Sequence, residues 1–467
     1  MAEAFPHATT MHAFPLRTIP AFLAALALQI SVAQQATECV HFKPPNHLLG
    51  DVHPYFHNGT CYLYYLKPEK YESALACSRD WLRWTETPIT LAPPEPGDWT
   101  KPYFVLGVIR DESTNSWRSF FGHLEGRIAS SMSNDLLHWS CAPKEYHVPP
   151  GNSYVRRRDP FVFWIPESKQ WGCVMTTKMK GRPDHQAGAV SLATSPDLKQ
   201  WTDHGAILDP GNIGEPECPQ MFRLGSKWYL LASVYDRAVG KPVYWIGENP
   251  FGPWGEHGPY PLDGKDLCAA QIGFDGDTPI LFGWIPRTPA RPGAQTWGGH
   301  LALPREVISM SDGTLGTRLP AKLREAFARL PWQSVPGFPL TSEPRECAGD
   351  WHNLAAEFSP SLPEESGEVR VRFEPLGEVV LSHSKIQVLD GRGECWSEMA
   401  LQLPGHQAIP VSLFIDGDLV EVFANSRHSV AARLPAVEGT CRLSFRSPSS
   451  GAHILSLKTS NLRIPPQ

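Results

Sequence analysis

Ser78-Arg79-Asp80-Trp81-Leu82-Arg83-Trp84 recurs as Ser133-Asn134-Asp135-Leu136-Leu137-His138-Trp139 and again as Ser195-Pro196-Asp197-Leu198-Lys199-Gln200-Trp201. The closing tryptophans lie 55 and 62 positions apart, and Trp254, in Gly252-Pro253-Trp254, follows after another 53. A period of about 50 residues or slightly more suits one four-stranded propeller blade with long loops. Each copy follows a β-type stretch, such as Tyr62-Leu63-Tyr64-Tyr65-Leu66 or Trp171-Gly172-Cys173-Val174-Met175. With the segment around Leu281-Phe282-Gly283-Trp284 the count reaches five, enough to close a ring around a central funnel.

Working outward, the 467 residues include 38 Gly and 46 Pro, spread along the chain, which disfavours long helices and favours turn-rich β structure. The fold class expected is all-β: a propeller over 40–318, a linker with a short helix over 319–337, and a β-sandwich over 338–467. The one helical pattern is Pro320–Leu330, with Leu323, Phe327 and Leu330 on one side and Pro331 at its end. Beyond it apolar and polar residues alternate, as in Glu368-Val369-Arg370-Val371-Arg372-Phe373, the mark of half-buried strands. A net charge of -6 without a basic stripe argues against nucleic acid as a partner and for a neutral ligand.

The apolar run Ile19–Leu28 follows Arg17 and ends in Ser31-Val32-Ala33, so residues 1–33 read as a secretory signal, with Met1 and Met11 as alternative starts. The run is shorter than a membrane span needs, and neither a membrane nor a metal or organic cofactor is expected. Asn58-Gly59-Thr60 is an N-glycosylation sequon. Ten cysteines show no CxxC pair or Cys/His ligand spacing. In an exported protein some should pair, and Cys347 with Cys395 is the expected bridge.

Propellers present functional groups where inner strands meet the funnel, which directs attention to acids early in each unit. Asp51, in Gly50-Asp51-Val52-His53-Pro54, precedes Asp159, in Arg158-Asp159-Pro160, by about two periods. Glu217, in Glu215-Pro216-Glu217-Cys218-Pro219, follows one period later. Glycoside hydrolysis with retention needs two carboxylates about 5–5.5 Å apart, one ionised and one protonated. A third nearby raises the proton affinity of the acid and binds hydroxyls. Glu215 and Glu217, two apart on a strand, face the same side, so position alone leaves open which is the acid.

Arg158-Asp159-Pro160 and Glu217-Cys218-Pro219 resemble the RDP and EC signatures of glycoside hydrolase family 32. Asp263–Gln271, Trp297–Glu306 and Phe414–Asn425 are similar to further segments of that family, in the same order. The resemblance implies a five-bladed propeller with a C-terminal sandwich that cleaves β-fructofuranosides such as sucrose or fructans. By likeness Asp51 is the nucleophile, Glu217 the acid/base and Asp159 the transition-state stabiliser. Arg158, His53, Asp266, Gln271 and Trp297 are binding candidates, and Cys218 packs unbridged against Glu217. Where the family reads W-M-N-D-P-N-G, this chain reads Leu48-Leu49-Gly50-Asp51-Val52-His53-Pro54. The loss of the Trp and Asn leaves the glycone open, with His53 or tryptophans of other blades to compensate. Fructosyl transfer, another furanoside such as an arabinofuranoside, and a catalytically inactive carbohydrate-binding propeller are the rival readings.

Overall fold

The repeated sequence pattern is one turn built three times between the third and fourth strands of a blade. Oδ1 of Asp80 accepts the N–H groups of Leu82 and Arg83 at 3.0 and 2.7 Å, and Asp135 and Asp197 do the same two and three residues on. The residue after each Asp takes a left-handed conformation, with φ of +63° at Trp81, +68° at Leu136 and +64° at Leu198. Each closing Trp donates its Nε1–H to that residue's carbonyl at 3.0–3.2 Å. Short polar side chains that satisfy the turn backbone locally are what make the pattern legible as sequence. In the fourth unit Asn249 accepts the Phe251 N–H at 2.9 Å and Trp254 bonds the Pro250 carbonyl at 3.2 Å.

The computed structural model describes residues 40–92, 104–122, 128–142, 146–149, 151–236, 239–254, 257–287, 297–363, 367–401 and 408–464. The signal proposed for 1–33 lies outside them. Five separate sheets follow in chain order: blade I over Gly50–Glu86, II over Thr90–Cys141, III over Tyr154–Leu208, IV over Pro216–Pro261 and V over Cys268–Arg318. Blades I, III and IV have four antiparallel strands, and II and V carry a fifth. Their inner strands are Gly50–His57, Val108–Asp111, Tyr154–Ile165, Pro216–Leu224 and Cys268–Asp275. The segment before blade I closes the ring against blade V: Leu49 pairs with Gly299, and the Leu301 N–H bonds the Phe42 carbonyl at 2.8 Å. Asn58, of the sequon, sits exposed at the tip of the first hairpin. Asn58-Gly59 has φ of +49° and +72°, as a tight hairpin turn requires.

Two further sheets, of seven and six strands, form the sandwich. Val369, Val371 and Phe373, beside Phe445 and Leu443 of the neighbouring strand, face Leu413, Ile415, Val420 and Val422 of the other sheet across its core, while Arg370 and Arg372 point outward. The helix is shorter than its sequence pattern: it spans Ala321–Phe327 and gives way to tighter turns, Arg329 N–H to Ala326 and Leu330 N–H to Phe327, before Pro331 is reached. It buries Leu323 and Phe327, whose ring lies 4.8 Å from that of Phe414 in the sandwich.

The Cys347–Cys395 bridge is not formed. Cys347 lies in Arg345–Trp351 and Cys395 in Cys395–Ala400, the two opposite edge strands of the six-stranded sheet. Five inter-strand spacings put them about 24 Å apart, whereas a disulfide needs Cα atoms within about 7 Å. All nine cysteines among the described residues, Cys218 included, are free.

Candidate active site

One extra residue interrupts the inner strand of four blades at the same end of the funnel. The register slips between Gly50 and Val52, between Arg158 and Phe161, between Glu217 and Gln220, and between Cys268 and Gln271. A bulge of this kind bends the strand and re-aims the side chains beside it. Within three of them Asp159, Cys218 and Ala269 hold φ of +50°, +50° and +44°, a region non-glycine residues enter only when surroundings enforce it. Sequence spacing puts Glu217 and Asp159 on a par. The registers show Glu217 matching Arg158, with Cys218 matching Asp159.

Neighbouring blades hold the bulges in place. Asp159 Oδ2 accepts the Cys218 N–H at 3.1 Å, and Gln271 Nε2 donates to the Cys218 carbonyl at 2.8 Å. The backbone beside Glu217 is therefore fixed from blades III and V at once. Gln271, expected to bind substrate, is buried, and its Nε2 donates to the backbone next to Glu217.

Asp51 is half-buried and accepts two indole N–H groups on Oδ1, from Trp297 at 3.0 Å and Trp284 at 3.4 Å. A Cβ on Gly50 would stand 3.0 Å from Trp297 Nε1, so glycine there lets the indole reach the carboxylate. Burial raises the proton affinity of Asp51, against the lowering effect of the Trp297 bond, and the Asp159 charge raises it further. Glu217 is pushed up to about 7: burial is the largest cause, Arg158 opposes it, and the charges of Asp159 and Asp51 add to it. Asp51, Asp159 and Glu217 thus act on one another across one space. Arg158 ties Asp159 and Glu217 together, donating to Asp159 at 2.7 Å, to Glu215 at 2.6 Å and to Glu217. Thr176 Oγ1 also donates to Asp159, at 3.2 Å. The result is an acid-rich mouth in which one carboxyl, Glu217, is held protonated up to near neutrality, the setting acid/base chemistry uses.

His53 is buried within reach of the Asp159 charge, and burial lowers it to about 4, so it is a neutral imidazole. Asp266 departs from expectation. It is fully buried and accepts the Arg433 N–H of the sandwich at 2.9 Å, which makes it part of the domain junction. Three further residues at the site, Trp284, Tyr235 and Tyr71, carry no signal in the sequence. Trp284 looked like an ordinary core aromatic until its N–H is traced to Asp51. Tyr235, partly buried, lies near Asp51 and Glu217. Tyr71 is exposed and packs on Trp297 and Phe104, with ring centroids 5.5 and 5.1 Å away. Glu215 pairs with Arg158 and Arg156.

The fold and this cluster define a class: a five-bladed β-propeller with an acidic mouth on its axis, joined to a β-sandwich. The chain belongs to glycosyl hydrolases family 32, whose N-terminal domain matches residues 41–318. It is 24% identical over 420 residues to a levanase of Bacillus subtilis (strain 168), covering 76% of this chain and 58% of that protein. With a fructan 6-exohydrolase of Beta vulgaris it shares 26% over 384 residues, covering 69% and 61%. The chain thus spans about three fifths of the length of these curated relatives. Among solved structures, fructan 1-exohydrolase IIa from Cichorium intybus superposes with a TM-score of 0.72 at 15% identity, covering 92% of this chain and 97% of that one. An exo-inulinase from Aspergillus awamori gives 0.70 at 17%, covering 91% and 98%.

Proposed function

We propose that the protein hydrolyses β-fructofuranosidic bonds of the sucrose or fructan type with retention of configuration. The observation that carries this is the unequal setting of two carboxylates at one mouth: Asp51 solvated by two indole N–H donors, Glu217 desolvated among negative charges. The relatives named above as levanase and fructan exohydrolase support fructosides as the substrate class.

In the first step an Asp51 oxygen attacks the anomeric carbon, the bond to the leaving oxygen breaks, and Glu217 gives that oxygen its proton. In the second the Glu217 carboxylate takes a proton from water, the water oxygen attacks the same carbon, and the Asp51 ester bond breaks. Asp159, held by Arg158 and Thr176, accepts hydrogen bonds from ring hydroxyls and stabilises the positive charge of the transition state. The altered stretch before Asp51 favours a second reading, a different furanose as glycone. Leu48 and Leu49 are buried there, and Trp297 and Tyr71 supply the aromatic surface.

Turnover of sucrose, inulin, levan and an aryl arabinofuranoside by the purified protein separates these readings. Asp51→Asn and Glu217→Gln are each expected to lower kcat by roughly a thousandfold or more with unchanged folding. Glu217→Gln should recover most on an aryl glycoside whose leaving group needs no proton. Near-normal rates on sucrose in either variant would remove that residue from its role. Export is part of the proposal, supported by the 1–33 signal pattern and the exposed sequon; a secreted product beginning near residue 34 on N-terminal sequencing checks it.

A further inference from the structure

Glu215 takes no part in the double displacement, yet it is bound to the machinery. Its Oε2 accepts from Arg158 Nη2 at 2.6 Å, while Oε1 accepts from Arg156 Nε at 3.0 Å and from Arg156 Nη2. Arg158 Nη2 spends its other hydrogen on Glu217 Oε1, and Nη1 donates to Asp159 at 2.7 Å. One guanidinium is thus divided among three carboxylates, and one nitrogen of it serves Glu215 and Glu217 together. Arg156, half in solvent, holds the far oxygen of Glu215. Planar, bidentate-capable arginines make such divided contacts geometrically strict.

On the reading that Glu217 is the acid/base, we propose that Glu215 is a positioning residue that, counterbalanced by Arg156, controls how much of the Arg158 charge Glu217 receives. The groups that act on Glu217 are Asp51 from blade I, Arg158 and Asp159 from blade III, and Glu215, Cys218 and Tyr235 from blade IV. Glu215 itself is held ionised: burial opposes this, and the bonds to Arg158 and Arg156 outweigh it. Among the described residues the cation bonded to Glu217 is Arg158, so its allocation is the adjustable quantity. With the Glu215 charge removed, the Arg158 Nη2 that Glu215 shared turns to Glu217 and favours its carboxylate. With Arg156 removed, Glu215 draws Arg158 toward itself and Glu217 keeps its proton to higher pH.

The test is the pH profile of kcat/KM, whose alkaline limb reports the acid in the free enzyme. It is measured on whichever sugar the wild type turns over, for wild type, Glu215→Gln and Arg156→Gln. Glu215→Gln is expected to move the alkaline limb down and Arg156→Gln to move it up, each by about half a pH unit or more. A merely structural role would lower rates without displacing the limbs in opposite directions. Unmoved limbs, or limbs that move the same way, overturn the proposal. Should Glu215→Gln fail to fold, Arg156→Gln, altered at a solvent-facing residue, decides alone: an upward limb supports, any other result overturns. A wild type without glycosidase activity, or a Glu217→Gln variant with full turnover, instead overturns the functional reading on which this rests.

Discussion

An indole N–H donates a hydrogen bond but carries no charge, so Trp297 and Trp284 stabilise the Asp51 carboxylate without neutralising it as a lysine or arginine would. A nucleophile stabilised that way keeps its charge for attack. Trp297→Phe keeps the ring and removes the donor; a hydrogen bond to a charged group contributes about 1.5–3 kcal/mol, so kcat/KM should fall by roughly 10- to 150-fold. The acid limb of the profile should rise at the same time, because the carboxylate form loses support. Trp284→Phe, at the longer distance, should do less. A pH profile of both variants checks this, and an acid limb left where it was would count against the role of the bond. At the alkaline end, Glu217 at about 7 sets the decline: kcat/KM should drop with rising pH through that value as the acid loses its proton. The acids were legible in the sequence because Asp51 and Asp159 share one place in the blade period and Glu217 lies one residue from it. Trp284 was not, since an apolar pattern reads a tryptophan as core and says nothing of where its N–H points. Glu215 was visible as a rival to Glu217, and only the arginines opposite it separate the two.

At the scale of elements, the turn that announces each blade is held by a carboxylate on two backbone N–H groups, so its contribution should be local and alike in each copy. Asp197→Ala leaves the Lys199 and Gln200 N–H groups to solvent and should cost about 1 kcal/mol. The expected readout is a lower urea midpoint at unchanged slope, with activity intact because Asp197 lies away from the acidic mouth. Asp135→Ala should match it; a loss several times larger in one copy would mean that turn carries contacts beyond its own hydrogen bonds. These turns were readable because their chemistry is confined to seven residues. The bulges were not, because a one-residue slip is set by the partner strand and by bonds such as Gln271 to Cys218 that join residues 53 apart. The same limit undid the Cys347–Cys395 bridge, since nearness along the chain cannot tell which edge of a sheet a strand occupies. It also undid the helix end: tighter turns stop it at Phe327, short of the proline.

Across the whole molecule, propeller and sandwich are joined by buried charge. Arg305, in blade V, pairs with Asp263 at 3.1 Å and with Glu421 of the sandwich. His41, ahead of blade I, places Nδ1 2.9 Å from Asp416 and Nε2 2.7 Å from Glu421. Both ring nitrogens face carboxylate oxygens, so both must carry protons and the ring is an imidazolium. Burial alone would lower its proton affinity; the bonds to Asp416 and Glu421 outweigh that and raise it to about 9 from 6.5. A histidine raised on folding stabilises fully below 6.5, and the contribution fades as pH climbs toward about 9. Glu217 adds a loss of its own with rising pH, because the folded state keeps a proton that the unfolded chain releases above 4.5, but that loss is complete near 7. Between pH 7 and about 8, then, the decline in stability is mainly that of His41; closer to 8.5 the buried thiols of Cys61, Cys173 and Cys218, whose proton affinity burial raises, add to it. His41→Gln should cost roughly 3–5 kcal/mol at pH 6, as expected when a buried ion pair loses one partner, and should flatten the wild-type decline across that window. Urea midpoints of both proteins at pH 6, 7 and 8.5 provide the measurement. If the wild type is equally stable at all three, the imidazolium does not hold the sandwich to the ring, and Arg305 with its two carboxylates must do so alone.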